Sequence, residues 1–146
     1  MRGASLTAFS LLFYGGMLLV ALLIAGLRGN LPLWWSIREP WIDVSLGIGG
    51  GLAVVVLSRL ALRISALKKL AEEFHPMLEG LSRRDVLLLA LASSIGEETL
   101  FRGALQPELG LLATSTLFAC VHIGPRPRFL WWTGFAWIMG IVMGML

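Results

Sequence analysis

Two adjacent carboxylates and an arginine interrupt an apolar stretch in the second half of the chain, at Glu97, Glu98 and Arg102. A charged side chain at the centre of a membrane helix costs about 2.5–3.5 kcal/mol on insertion scales, so such groups usually face a protein interior and pair there. Glu98 and Arg102 are four residues apart and can form an ion pair on one helix face. Glu97 points about 100° away from Glu98 and has no obvious partner in its own helix.

A histidine in the next apolar segment is a candidate partner for Glu97. His122 ends this segment, and the connection between the two segments is short, so we expect their helices to be antiparallel neighbours. A glutamate withdrawn from water is a better general base near neutral pH than an exposed one. A nearby histidine can orient a water molecule or stabilise developing charge. This combination favours attack of water on a carbonyl, most simply peptide hydrolysis.

Two other interpretations of these residues stay open. Buried Glu–Arg pairs can hold membrane helices together without any chemistry, and a histidine at a helix end is often a satisfied polar group. Alternatively, both glutamates and His122 could line a proton or ion pathway. A zinc site is poorly supported, because catalytic zinc usually takes three protein ligands. Glu97 and Glu98 would both have to turn inward to complete the ligand set with His122. His75 lies in the polar segment, and we expect it to be far from the site.

The composition places these residues in a membrane protein. Of the 146 residues, 57% are hydrophobic and only 14% are charged, against about 25% charged in a soluble domain. The mean hydropathy is +0.81. This composition excludes a soluble enzyme, a disordered tail and a nucleic-acid-binding domain, so we expect no nucleic-acid partner. The pI of 9.8 reflects a net charge of only +3, which lies in loops beside apolar runs, as the positive-inside rule describes.

The apolar segments predict an all-α fold, a polytopic transmembrane helix bundle that forms one membrane domain over residues 1–146. About five membrane segments are expected, at approximately 6–27, 44–62, 85–104, 110–123 and 129–146. The first is long enough to span a bilayer and longer than the apolar region of a typical signal peptide, the competing interpretation. Trp34 and Trp35, between the first two segments, are typical of a membrane interface.

The polar segment 63–82 is predicted to be cytoplasmic. Half of the 12 lysines and arginines lie in and around it, which also places the N-terminus in the cytoplasm. Its apolar side chains recur three and four apart, which predicts an amphipathic extension of the second helix, with partner docking as the alternative. Pro76 is expected to break or kink this helix. A capping box at Ser82–Asp85 predicts the start of the third helix, and Pro107 with Gly110 predicts the turn after it.

The residues singled out above resemble the motifs of the CAAX-protease and bacteriocin-processing (CPBP) family of intramembrane proteases, also called the Abi family. Glu97, Glu98 and Arg102 match its Glu-Glu-x-x-x-Arg motif, and Phe118 with His122 matches its Phe-x-x-x-His motif. The two motifs occur in the family's order on successive apolar segments. The resemblance covers roughly residues 85–146.

The resemblance implies a multi-pass protein of the bacterial inner membrane with its active site inside the bilayer. By analogy, Glu97 activates the hydrolytic water, His122 helps to position it, and Glu98 and Arg102 support the site. The implied substrate is a membrane-embedded or lipidated protein or peptide. The family has been argued to work with and without a metal, so Glu97 and His122 are the candidate ligands if a divalent metal such as zinc is used.

One departure from the family pattern concerns a later motif, a histidine followed four residues on by asparagine or aspartate. No histidine follows His122 in this sequence. Loss of one oxyanion donor typically costs about 10²–10³ in rate, so we expect this chain to be truncated and weakly active or inactive, or to be a non-catalytic scaffold or bacteriocin-immunity protein. We also expect the chain to associate with a second copy of itself or with a partner membrane protein.

Overall fold

All regular elements in residues 2–29 and 39–146, the part of the chain that the computed structural model describes, are helical. They are α1 (Arg2–Arg28), α2 (Pro40–Ala61), α3 (Ser65–Leu78), α4 (Arg83–Glu97), a π-helical segment (Glu98–Leu105), α5 (Gln106–Leu109), α6 (Leu111–Cys120) and α7 (Phe129–Met145). This confirms the all-α class for those residues. The predicted interfacial pair Trp34 and Trp35 lies outside the described residues.

Two of the helices are long and apolar enough to cross a membrane. They cover Leu6–Arg28, with 23 residues, and Pro40–Ala61, with 22 residues. The apolar helices Leu111–Cys120 and Phe129–Met145 are shorter. Helices therefore lie where the sequence places apolar segments, and the count of five membrane spans stays a prediction.

The chain forms two compact units. One unit combines α1 with α4, the π-helical segment, α5, α6 and α7, and it contains all four candidate catalytic residues. The other consists of α2 and α3. The positions of α1 and of the C-terminal helices in one unit show that the first apolar run contributes to the site-bearing part of the protein.

The polar segment forms a helix of its own, so the prediction that it extends the second helix is wrong. α2 ends at Ala61, the chain turns through residues 62–64, and α3 begins at Ser65. Hydrogen bonds between residues three apart close this turn and interrupt the α-helical pattern. Pro76 lies in the last turn of α3, which ends two residues later at Leu78, so the proline accompanies the helix end and does not break the helix earlier.

The start of α4 is the predicted capping box. The Asp85 backbone N–H donates to the Ser82 hydroxyl over 3.2 Å, and the Ser82 N–H donates to the Asp85 carboxylate over 2.9 Å. The other end differs from the prediction, because the helix continues past Pro107 and reverses only at Gly110, with φ of +77°. Pro107 is tolerated because it lies in the first turn of α5, where its missing N–H is least costly.

The third apolar segment is not a continuous α-helix. The sequence predicts one helix over 85–104, but Glu98–Leu105 is wound as a π-helix, with hydrogen bonds from residue i to i+5. This wider winding presents two consecutive side chains, Phe101 and Arg102, to the same ring of Phe118 on α6. π-Helical turns within α-helices are frequent at functional sites, and here the change of winding begins between the two glutamates.

A small core joins the helices of the site-bearing unit. Phe101, Phe118 and Ala136 form a buried cluster, and Met17 of α1 packs against it. α6 and α7 run antiparallel, because contacts along them pair in reverse order. Thr133 contacts the His122 carbonyl just after α6 (3.1 Å), Trp137 contacts the Thr116 hydroxyl within α6 (3.2 Å), and Gln106 of α5, just before α6, contacts the Gly144 carbonyl (2.7 Å).

Candidate active site

Glu97 lies at the junction between α4 and the π-helical segment, where α1 and α6 approach it. Its side chain is half-buried. The Tyr14 hydroxyl of α1 donates a hydrogen bond to its carboxylate, and the charge of the carboxylate interacts with His122. The structure therefore brings Glu97 and His122 into electrostatic contact, and it adds a tyrosine to the residues that the sequence singled out.

The register of two antiparallel helices explains how Glu97 and His122 meet. The rings of Phe101 and Phe118 pack edge to face, with centroids 5.0 Å apart and planes at 82°. Glu97 lies about one turn before Phe101, and His122 lies about one turn after Phe118. Because the two helices run in opposite directions, both steps lead to the same level of the bundle. The expected antiparallel arrangement of these segments is present, because the earlier residue of one segment pairs with the later residue of the other: Phe101 with Phe118, and Glu97 with His122.

The orientation of the His122 ring is fixed by the backbone one turn earlier. Its Nδ1 lies 2.7 Å from the carbonyl oxygen of Phe118. A carbonyl oxygen can only accept a hydrogen bond, so Nδ1 carries the proton. In the neutral ring, Nε2 is then left with a lone pair. His122 is thereby prepared to accept a hydrogen bond or a proton at Nε2.

Glu98 and Arg102 form the ion pair that their spacing predicts. Arg102 Nε lies 3.5 Å from Glu98 Oε2, and the arginine side chain is 13% exposed. Its Nε and Nη1 atoms have no hydrogen-bond acceptor among the described residues. The guanidinium carbon lies 4.5 Å from the centroid of the Phe118 ring, a geometry in which cation–π attraction contributes about 0.5–2 kcal/mol. The face of the ring and the charge of Glu98 together hold this buried cation.

Phe118 connects the two sequence motifs. Its ring contacts Phe101 and Arg102 of the π-helical segment and lies 4.4 Å from the His122 ring, between centroids. Its carbonyl also accepts the hydrogen bond from His122. Residues four apart lie on the same face of a helix, so a phenylalanine four residues before the histidine can orient the imidazole and contact the arginine. This contact gives a physical reason for the Phe-x-x-x-His spacing.

Sequence reasoning missed Tyr14. It is the only tyrosine of the chain and lies 83 residues before Glu97, in an apolar run that we interpreted only as a membrane span. The one available signal was a phenolic hydroxyl inside that run, since a buried Tyr hydroxyl usually finds a hydrogen-bond partner. Sequence spacing alone could not identify that partner on a distant helix.

The side chains present do not fit a catalytic zinc. Among residues 2–29 and 39–146, no group of three His, Cys, Asp or Glu side chains is close enough to hold a metal ion. Catalytic zinc sites usually use three protein ligands, and Glu97 with His122 supplies two. We therefore consider hydrolysis by side chains of the protein and water alone.

A comparison with known protein families supports the resemblance that the sequence motifs indicate. Residues 81–146 match the family model of Rce1-like type II CAAX prenyl endopeptidases. This match confirms the family resemblance that the two motifs indicate. The matched region contains both motifs and every helix from α4 to α7. Proteins of the Rce1-like family are membrane proteins, which is consistent with the two long apolar helices.

A curated bacterial protein is also similar to this chain. The chain is 27% identical over 130 residues to the sporulation-killing factor biosynthesis protein SkfC of Bacillus subtilis (strain 168), and the match covers 77% of this chain. The chain spans about a quarter of that relative's length, because the match covers 26% of it. No solved structure is a significant match.

Proposed function

We propose that this protein is an intramembrane endopeptidase in which Glu97 activates a water molecule for attack on a peptide carbonyl. The observation that carries the proposal is the convergence of Tyr14, Glu97 and His122 at the start of the π-helical segment. The family match at residues 81–146 supports the reaction class, since members of this family are proteases.

A water molecule between Glu97 and His122 would meet two hydrogen-bond acceptors. The ionised carboxylate only accepts, and neutral His122 accepts at Nε2 because Nδ1 donates to the Phe118 carbonyl. Such a water directs its two protons toward the protein and keeps its lone pairs for the substrate. This arrangement orients the nucleophile before the substrate carbonyl arrives, which is the main contribution of a preorganised site.

Proton transfer completes the hydrolysis without a further group. As the water oxygen bonds to the carbonyl carbon, Glu97 takes one of its protons and acts as general base. The protonated Glu97 then gives this proton to the amide nitrogen and the C–N bond breaks. The products are an amine and a carboxylic acid, and the acid loses the second water proton to solvent after release. His122 keeps the attacking oxygen in position, because its Nε2 accepts a hydrogen bond from the second water proton.

Glu98 and Arg102 support the site in this proposal. Arg102 is held between Glu98 and the Phe118 ring, and that ring packs against the His122 ring. Loss of the arginine would therefore loosen the histidine through one intervening side chain. Neither Glu98 nor Arg102 needs to touch the substrate.

We further propose a multi-pass arrangement in the bacterial inner membrane, with a cytoplasmic N-terminus and substrates that are membrane-embedded or lipidated peptides. Large apolar side chains on the outer faces of α1 and α7 are exposed, for example Leu12, Leu23, Leu130 and Met145, which are 65–78% exposed. Exposed apolar surface of this extent suits contact with lipid chains better than contact with water.

A cleavage assay tests the proposal. The purified protein in liposomes is incubated with a library of membrane-protein and lipidated peptides, and products are identified by mass spectrometry. We expect weak cleavage by the wild type and none by Glu97→Ala, with folding of both confirmed by circular dichroism. Absence of cleavage by a folded wild-type protein would contradict the protease and favour the scaffold interpretation.

A further inference from the structure

α1 follows the acid-bearing helix along its whole length. The Thr7 hydroxyl donates to the Asp85 carboxylate over 3.0 Å at the first turn of α4. Arg28 forms an ion pair with Glu108 of α5 at the opposite end. Since both contacts advance along both helices together, α1 runs parallel to α4 and its continuation.

The inner face of α1 has a seven-residue spacing. Thr7, Tyr14, Ala21 and Arg28 are each seven residues apart, and a seven-residue repeat keeps one stripe of a helix facing its neighbour. Ala21 is fully buried and Thr7 is 6% exposed. Tyr14 is the member of this stripe that lies at the level of the glutamates.

The two helices approach each other closely at Tyr14 and Gly96. A Cβ atom on Gly96 would lie 2.9 Å from the backbone oxygen of Tyr14 and 3.2 Å from its Cβ. Distances below 3.0 Å are not found for real Cβ atoms, so only glycine allows this approach. Gly96 immediately precedes Glu97, so the contact fixes Tyr14 beside the turn that carries the acid.

We propose that Tyr14 is a positioning residue for Glu97: its hydroxyl binds one carboxylate oxygen and leaves the other free for water. The geometric basis is the packing of Tyr14 on Gly96, the residue before Glu97, and the Tyr14 hydroxyl interacts with the Glu97 carboxylate at this level of the bundle. A glutamate side chain loses up to about 2 kcal/mol of rotamer freedom when it is ordered. Tyr14 holds the carboxylate in place before the substrate binds, so it acts on turnover through Glu97. This inference rests on the proposed hydrolytic function.

Two substitutions that each remove one hydroxyl from α1 test the proposal. Tyr14→Phe removes the donor to Glu97, and Thr7→Val removes the donor to Asp85 two turns away. We expect Tyr14→Phe to lower kcat by roughly 10- to 100-fold, the range for a hydrogen bond to a charged group, with KM unchanged. Thr7→Val should keep the wild-type kcat. Equal kcat values for the two variants would overturn the positioning role.

Infrared spectroscopy in liposomes gives a readout that does not require activity. The difference spectrum between the wild type and Glu97→Gln isolates the carboxylate band of Glu97. The same difference is measured in the Tyr14→Phe and Thr7→Val backgrounds. We expect the band to shift in the Tyr14→Phe background alone, because only that variant removes a donor from this carboxylate.

The kcat measurement and the infrared band together distinguish failure of the positioning role of Tyr14 from failure of the hydrolytic function. An unchanged Glu97 band in Tyr14→Phe overturns the proposal whatever the activity. A shifted band with unchanged kcat also overturns it, because the hydrogen bond then does not serve the reaction. If the folded wild type cleaves no substrate, the proposed hydrolytic function fails, and the infrared result still decides whether Tyr14 holds Glu97.

Discussion

Substitution of Gly96 by alanine tests the helix contact on which the site is built. The new Cβ would lie 2.9 Å from the Tyr14 backbone oxygen, and α1 must move by about 0.5 Å to restore an ordinary contact of 3.4 Å. Overpacking of this kind costs about 1–3 kcal/mol, and the helix preference of alanine over glycine returns up to about 1 kcal/mol. We therefore expect Gly96→Ala to lower the free energy of unfolding by about 1–2 kcal/mol.

The same movement should reduce activity. A misplacement of 1 Å in an active site can cost about 10²-fold in rate, so a shift of about half that distance at Tyr14 corresponds to about tenfold in kcat. Unfolding is measured by titration with SDS in mixed micelles, and turnover is measured on a substrate peptide from the cleavage assay. Both measurements use the same protein preparations.

Two glycines of α7, Gly134 and Gly140, provide matched controls for the Gly96 substitution. A Cβ on Gly134 meets no atom within 4 Å, whereas a Cβ on Gly140 would lie 3.1 Å from the Ser115 Cβ. Gly134→Ala should stabilise the protein by about 0.5–1 kcal/mol, and Gly140→Ala should fall between Gly134→Ala and Gly96→Ala. Equal stability of Gly96→Ala and Gly134→Ala would refute the close approach of α1 to α4.

Three further predictions follow from other contacts. Ser82→Ala should lower the free energy of unfolding by about 1 kcal/mol in the same SDS titration, because it removes the cap of α4; an unchanged value would show that the capping box adds no stability. Arg102→Met and Phe118→Leu should be non-additive by about 0.5–2 kcal/mol in the free energy of unfolding in a double-mutant cycle, since each removes the one shared cation–π contact; additivity would argue against that contact. Dialysis against EDTA should leave cleavage unchanged, because Glu97 and His122 do not form a three-ligand group; loss of activity that zinc restores would contradict this.

Local signals in the sequence were sufficient for the start of α4 and for the chain reversal before α6. The capping box at Ser82–Asp85 and the positive φ of Gly110 correspond to identifiable residue patterns, and the structure places the helix start and the chain reversal there. The change to π-helical winding at Glu98 has no comparable signal, because it depends on the packing of Phe101 and Arg102 against another helix. The turn after Ala61 was missed for a similar reason, since the apolar periodicity continues across it.

In the candidate site, too, contacts within one helix could be predicted and contacts between distant helices could not. The ion pair of Glu98 with Arg102 follows from their separation within one helix and is present in the structure. The hydrogen bond from Tyr14 to Glu97 joins residues far apart in the chain. The packing of α1 on Gly96 determines the geometry of this bond. No short sequence pattern indicates that packing.

The most direct test of the central claim compares isosteric variants of the two adjacent glutamates. Glu97→Gln and Glu98→Gln each remove one charge at nearly constant shape, one from the proposed base and one from the partner of Arg102. In single-turnover cleavage of a substrate peptide in liposomes, we predict a loss of at least about 10³-fold for Glu97→Gln, since an amide cannot accept the water proton. Glu98→Gln should retain measurable cleavage, because its side-chain oxygen still accepts hydrogen bonds. Cleavage by Glu97→Gln at or above the rate of Glu98→Gln would contradict the assignment of Glu97 as the base.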